Sequence, residues 1–252
     1  MVAETVIRLL SVPGCTVPDV TDDDTQVRAR AFIRDLIRLT MTNPSDRDKQ
    51  RLPGPSDLAD PCDVCLARKI AASCGISDPS GRDRNFSLKA WNGTAVHQKI
   101  EHDLPVVYKH AEQEITVEIA EIKGLGLIKG HVDLYVPAHR VMTDWKTTDL
   151  RKLKTYQHTG VPSSHFGQTM LYMLGLRKSG REVDTATLCY IPRDSNKESD
   201  IWVASCSFRE DVAVGLLERA GRLTTMVRSG EAGSLVPEDG CFPCTVQPHL
   251  RY

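Results

Sequence analysis

The chain has 252 residues, 40% of them hydrophobic and 26% charged, with a formal net charge of −1. That length carries a large domain whose core needs no covalent crosslinks, and the composition excludes general disorder and collagen-like repeats. The near-neutral balance excludes a broadly basic coat, so any nucleic-acid contact has to be local. No apolar run approaches the ~20 residues that cross a bilayer. The stretch from Met1 to Cys15 is interrupted by Arg8 and does not read as a secretory signal, so a cytoplasmic protein without membrane contact is expected.

Residues 22–41 read as an amphipathic helix. Thr21 or Asp22 can cap it, the acidic run Asp22 to Asp24 suits the positive end of the helix dipole, and Val27, Ala31, Leu36 and Ile37 make an apolar stripe. Residues 43–57 hold three prolines and many charges and read as a loop. Cys62 and Cys65 open a short helix that ends near Cys74-Gly75, and a polar loop follows over 76–85. Residues 87–103 form the next helix, with Gly93, His97 and Glu101 spaced by four on one face. Three strands are predicted at Glu114 to Ile119, Leu127 to Val136 and Arg140 to Lys146, the last two joined by the turn Pro137-Ala138-His139. A helix over 163–178, strands over 183–191 and 201–208, and a helix over 210–229 ending at Gly230 complete the pattern. This order predicts a mixed α/β fold around one central sheet. Its parts are a helical segment over 1–86, a core over 87–230 and a tail over 231–252, together one compact domain.

Eight cysteines need an account. Without a signal peptide a disulfide framework is not expected. Cys62/Cys65 and Cys241/Cys244 are C-x-x-C pairs, the pattern of thiolate ligands for a metal ion or an iron–sulfur cluster. Cys74 is an alternative ligand, and Cys189 and Cys206 read as apolar fillers in strands.

Four short elements between Gly93 and Tyr172 carry chemistry: Gly93-Thr-Ala-Val-His97 on a helix, Gly130-His-Val-Asp133 in a strand, Asp144-Trp-Lys146 ending the next strand, and Gln168-Thr-Met-Leu-Tyr172 on a helix. Two strands joined by a short turn can bring Asp133 and Asp144 together as hard oxygen ligands of the kind magnesium or manganese prefers. The Trp145 carbonyl could add an oxygen, and His97 a nitrogen that favours manganese. Lys146, two residues beyond Asp144, lies on the same strand face, where it can polarise a water or stabilise phosphoryl charge. Metal, water and lysine make a phosphodiester hydrolysis site. Alone each piece is common, since about one Asp-x-Lys arises by chance in such a chain. The conjunction, in this order and on these elements, is what is specific.

These segments resemble the PD-(D/E)XK nuclease superfamily, and more closely its RecB-like branch. With the cysteines, the chain resembles that branch's iron–sulfur nucleases, the AddB nuclease domain and the CRISPR-associated Cas-four family. The resemblance covers residues 93–172 by the nuclease motifs and 62–244 by the cysteines. It implies a restriction-endonuclease-like sheet flanked by helices, with the chain's two ends joined by a four-cysteine metal site. It also implies metal binding by His97, Asp133 and Asp144, catalysis by Lys146, and Gln168 and Tyr172 holding DNA or the lysine. Glu114 is a further acidic candidate. The implied cofactors are manganese or magnesium and a cluster, 4Fe-4S by likeness, on Cys62, Cys65, Cys241 and Cys244. The relatives place one cysteine before the nuclease motifs and three after, whereas here the split is two and two, and four thiolates also suit zinc.

The basic run Arg151-Lys152-Leu153-Lys154 beside the catalytic strand suits a phosphate track or, equally, a solvated helix start. Arg177, Lys178 and Arg181 suit the C-terminal dipole of their helix better than DNA. Trp91 and Tyr156 could stack on bases, although a core role fits either better. The expected function is a DNA exonuclease acting on single strands or ends with 5′-to-3′ polarity, in recombination, end processing or CRISPR spacer acquisition. A helicase or recombination partner would do any unwinding. The alternative is a catalytically silent DNA-binding or assembly module with a structural metal.

Overall fold

The structure is a computed structural model, and it describes residues 24–42, 52–76 and 87–246. The chain divides into two units, residues 1–45 and 46–252. In the first, helix α1 spans Asp24–Thr42. Val27, Leu36 and Ile37 of the expected stripe are exposed, as are Phe32, Ile33 and Leu39. The proposed caps Thr21 and Asp22 lie outside the described residues.

The second unit contains α2 (Pro55–Leu58), α3 (Asp63–Ser73), α4 (Leu88–Val107), β1 (Glu112–Ile122), β2 (Gly126–Val136), β3 (Val141–Thr148), α5 (Leu150–Thr159), α6 (Ser163–Lys178), β4 (Thr185–Pro192), β5 (Trp202–Ser207), α7 (Glu210–Ser229) and α8 (Phe242–Val246). The strands form one mixed sheet in the order β1-β2-β3-β4-β5. β1, β2 and β3 pair antiparallel in sequence, β3 and β4 run parallel, and β5 returns antiparallel to β4. A parallel neighbour cannot be reached by a tight turn, so α5 and α6 make the crossover between β3 and β4.

Burial explains the pattern. In β1, Ile115, Val117 and Ile119 are buried while Thr116 and Glu118 between them are exposed, the alternation of a one-sided strand. In β4, Ala186, Leu188, Cys189 and Tyr190 are all buried, as befits an internal strand. The middle of α6 is buried on every side from Gly167 to Leu176. With α3 and α7 it covers the main core against Val117, Ile119, Ile128 and Met142. Its tight fit requires Gly175, because a Cβ there would sit 2.7 Å from Val117 Cγ2.

Several bounds differ from the sequence expectation, each for a local reason. The stretch from Pro55 to Leu58, within and just past the segment read as a loop, is a helical turn, closed by reciprocal bonds between Gly54 and Asp57. Residues 43–51 of that segment lie outside the described residues. Helix α4 continues through Pro105. That proline leaves the Glu101 carbonyl without its helical donor, and Gln113 Nε2 donates to it at 3.3 Å. The basic run after β3 is the start of α5, as one of its two sequence readings has it, capped by the Asp149 carboxylate accepting from Lys152 N at 2.9 Å and anchored by buried Leu153 against Leu188 and Tyr190.

If the α6–β1 contact sets the core spacing, Gly175→Ala should destabilise the protein by about 1–3 kcal/mol through overpacking. Urea unfolding measures it, and an unshifted midpoint would refute this account of the glycine.

Candidate active site

The β-hairpin of β2 and β3 brings Asp133 and Asp144 together as the spacing predicts. Both are nearly buried, at 8% and 3% exposure. Asp133 Oδ2 accepts the backbone N–H of Trp145 at 2.8 Å, which ties one carboxylate to the neighbouring strand. Its other oxygen lies 3.7 Å from His97 Nδ1 on α4. This approach depends on Gly93, one helical turn before His97, because a Cβ there would meet Thr147 Oγ1 of β3 at 2.9 Å.

Lys146 projects on the face of Asp144, and its Nζ lies 2.6 Å from Asp144 Oδ2. The ammonium also donates to Gln168 Oε1 at 2.8 Å, and Gln168 Nε2 donates to the Tyr172 hydroxyl at 2.9 Å. The Tyr172 ring rests over Gly130, where a Cβ would approach it to 2.7 Å. The four sequence elements are therefore one connected structure: His97 with Asp133, Asp144 with Lys146, Lys146 with Gln168, and Tyr172 over Gly130. Gln168 and Tyr172 are 8% and 7% exposed, and Gln168 joins Lys146 to the Tyr172 hydroxyl. Glu114 lies in β1 across from Asp133, between the registered pairs Gln113–Leu134 and Ile115–Val132, with a left-handed φ of 49°.

Burial pushes the Asp144 carboxyl up to about 6, with Lys146 pulling it down and Asp133 adding to the rise. A cleft of about 370 Å³ opens over Lys146 and Gln168, with Asp60, Pro61 and His165 on its walls. His165 is a residue that motif reasoning missed. Its Nδ1 is 2.9 Å from the Tyr190 hydroxyl, and Tyr156 packs edge-on to its ring. Burial, with Lys146 nearby, holds this imidazole down to about 4, so it is neutral near pH 7. The only sequence signal was its position one turn before Gln168.

Tyr156 thus has the core role, in a cluster with His165, Tyr190 and Trp202, whereas Trp91 is exposed. Arg151, Lys152 and Lys154 are exposed on α5. Arg177 donates twice to the Val183 carbonyl, Lys178 to the Ile119 carbonyl, and Arg181 pairs with Glu112, so those three cations serve the fold.

The second constellation is the cysteine group. The Sγ atoms of Cys62, Cys65, Cys241 and Cys244 all lie within 4.8 Å of one another, a set able to hold a metal ion. Burial pushes the Cys62 thiol up, but hydrogen bonds from the Glu238 and Cys65 backbones and from neighbouring thiols bring it down to about 7. Burial and the adjacent sulfurs raise the Cys65 thiol. Cys74, the alternative ligand, stands apart, its Sγ 3.7 Å from the Gly124 carbonyl. Sequence reading also missed Arg219 of α7. It pairs with Asp63 at 2.6 Å and donates to the carbonyls of Asp60 at 2.6 Å and Pro61 at 3.1 Å, gripping the loop that presents the first cysteine pair.

No protein-family model and no curated protein matches the chain. Among solved structures it is similar to the alkaline exonuclease LHK-Exo from Laribacter hongkongensis, solved alone and in complex with dAMP. The TM-score is 0.53 at 11% identity, over 72% of this chain and 90% of that one. A phage-related exonuclease from Haemophilus somnus 129PT is similar at TM-score 0.46 and 15% identity, over 66% and 83%. The chain shares the fold of LHK-Exo, an α/β sheet flanked by helices. No helix among the described residues is long and apolar enough to cross a membrane.

The raised Asp144 pKa has a thermodynamic consequence. The folded carboxyl holds its proton up to about 6 against 3.8 unfolded, so its favourable contribution is lost as pH rises between those values. In metal-free protein Asp144→Asn should therefore be more stable than wild type near pH 7, by at most about 3 kcal/mol. The gap should shrink on acidification toward pH ~4. Thermal melts in chelator across that range test it, and a variant less stable than wild type at neutral pH would contradict it.

Proposed function

We propose that this chain is a divalent-metal-dependent deoxyribonuclease, acting as an exonuclease on single-stranded DNA or DNA ends. The observation that carries the reading is Lys146 Nζ held between Asp144 Oδ2 and Gln168 Oε1 at the mouth of a cleft, beside a second buried carboxylate. Two charged groups so nearly buried are costly to a fold unless they serve a reaction or a ligand. The donor set fits magnesium or manganese: the carboxylates of Asp133 and Asp144, the Trp145 carbonyl and the His97 imidazole are hard oxygen and borderline nitrogen donors. When bound, such an ion supplies Lewis acidity toward a phosphoryl oxygen and lowers the pKa of water.

The protein's own groups do the rest. Trp145 N–H holds Asp133 with its second oxygen turned toward His97. Gln168, braced by Tyr172, keeps the Lys146 ammonium aimed at the place where negative charge builds on the phosphorus oxygens, and preorganised charge of this kind is worth about 10²–10³ in rate. Exposed Arg151, Lys152 and Lys154 on α5 provide a phosphate track beside the catalytic strand. The 5′-to-3′ polarity follows the resemblance to RecB-like nucleases. A role in recombination, end processing or CRISPR spacer acquisition fits the same resemblance, with unwinding left to a helicase partner.

End-labelled single-stranded and duplex DNA, incubated with manganese or magnesium, tests this directly. Wild type should cleave, and Asp144→Ala and Lys146→Ala should each lose about 10²-fold or more. A folded, metal-supplied wild type that leaves every substrate intact would sink the proposal in favour of an assembly module. The triple variant Arg151→Ala/Lys152→Ala/Lys154→Ala should bind single-stranded DNA more weakly and flatten the salt dependence by about 0.7 per lost phosphate contact. An unchanged slope would remove α5 from the DNA path.

A further inference from the structure

The likeness to iron–sulfur nucleases implies a 4Fe-4S cluster on the four cysteines, but the sulfur spacing does not fit one. Cys62 Sγ lies 3.7 Å from Cys244 Sγ, and Cys65 Sγ lies 3.5 Å from Cys241 Sγ and 3.6 Å from Cys244 Sγ. All six separations fall within 4.8 Å. Four irons and four sulfides stand between the thiolates of a cubane and spread them to on the order of 6 Å. A 2Fe-2S cluster spreads the two thiolates of one iron from those of the other by a similar distance. A single ion with metal–sulfur bonds of ~2.3 Å instead places tetrahedral thiolates ~3.8 Å apart. The observed spacing is that of one ion, and it is too long for disulfides, whose S–S bond is about 2.05 Å.

We propose that Cys62, Cys65, Cys241 and Cys244 hold one tetrahedral zinc ion in place of an iron–sulfur cluster. Two C-x-x-C pairs with four thiolates make a closed site with no position left for a substrate, the arrangement of structural zinc. Zinc also outcompetes ferrous iron for a given divalent site. Four thiolates on a dication leave two negative charges, and the surroundings answer them. Arg68 Nη1 approaches Cys244 Sγ at 3.8 Å, and Cys62 and Cys65 sit at the positive N-terminal end of the eleven-residue helix α3. The ion would join residues 176 to 182 apart in sequence, so its bonds would offset a large loop-closure cost and fasten the C-terminal segment to α3. Nothing in this depends on the nuclease reading, because the four sulfurs are separate from Asp133, Asp144 and Lys146.

The test is the metal content of the full chain, purified without oxygen from cells supplied with both iron and zinc, with acid-labile sulfide and the visible spectrum measured on the same sample. About one zinc per chain, no sulfide and no iron–sulfur chromophore are expected. Asp144→Ala and Cys74→Ser should keep that equivalent, which assigns it to the cysteine group, while Cys241→Ser should retain zinc several-fold more weakly under chelator competition. About four irons with matching sulfide would overturn the proposal, as would a single iron without sulfide, no metal at all, or loss of the zinc from Asp144→Ala. Cleavage activity is not among the readouts, so an inactive protein with one zinc would count against the nuclease reading alone.

Discussion

The organisation of the core follows from a lysine and an aspartate brought almost out of water. Lys146 keeps 18% of its side chain exposed, and Asp144 almost none. Desolvating such a pair costs several kcal/mol per ion unless further hydrogen bonds complete the pairing. The fold supplies them from a distance: Gln168 reaches the ammonium, Tyr172 fixes Gln168, and the Tyr172 ring needs a strand residue without a Cβ, which Gly130 provides. That chain of requirements places α6 directly over the sheet. It also accounts for the burial of α6 on every side from Gly167 to Leu176.

The candidate active constellation was legible in the sequence because each requirement maps to a residue type at a fixed period. Asp144 and Lys146 two apart share a strand face, Gln168 and Tyr172 four apart share a helix face, and the short turn at 137–139 sets Asp133 near Asp144. The alternating β1 and the long α6 and α7 were legible for the same reason. What escaped is non-local or masked by charge. Arg219 reads as one of several surface arginines on α7, and only the tertiary fold shows it gripping the carbonyls of Asp60 and Pro61. His165 lies in the first turn of α6, and its position one turn before Gln168 is too weak a signal to announce a cleft. Helix α5 was legible as one of two readings of its basic run, and Asp149 was the cap that favours it. The cysteine pairing was readable as a metal site, but the nuclearity was not, since C-x-x-C spacing is shared by zinc and iron–sulfur ligands and only sulfur separations distinguish them.

The two constellations are mechanically linked. The loop running from Leu58 to Cys62 is gripped by Arg219, its Asp60 carboxylate accepts the Cys62 N–H at 3.0 Å, and Asp60 and Pro61 then form a wall of the cleft over Lys146. Whatever holds Cys62 in place therefore also holds one side of the space where a substrate would lie. Fastening the first cysteine pair to the second recruits the C-terminal segment to the same task, since α8 follows directly from Cys241. A metal in that position would stiffen the cleft without entering it.

With the two proposed ions bound, this arrangement would also separate them by chemistry. The sulfur set is soft, has no vacant position and closes on itself, so it would retain a thiophilic ion and offer nothing to a phosphate. The candidate active-site set is oxygen-rich with a single imidazole and opens on a cleft, which would suit a labile hard cation that exchanges with water and substrate. One chain can then carry a permanent ion for shape and an exchangeable one for reaction without either displacing the other. Had both sites been built from mixed donors, the tighter-binding ion would fill both, and the cleft would hold a metal that does not let go.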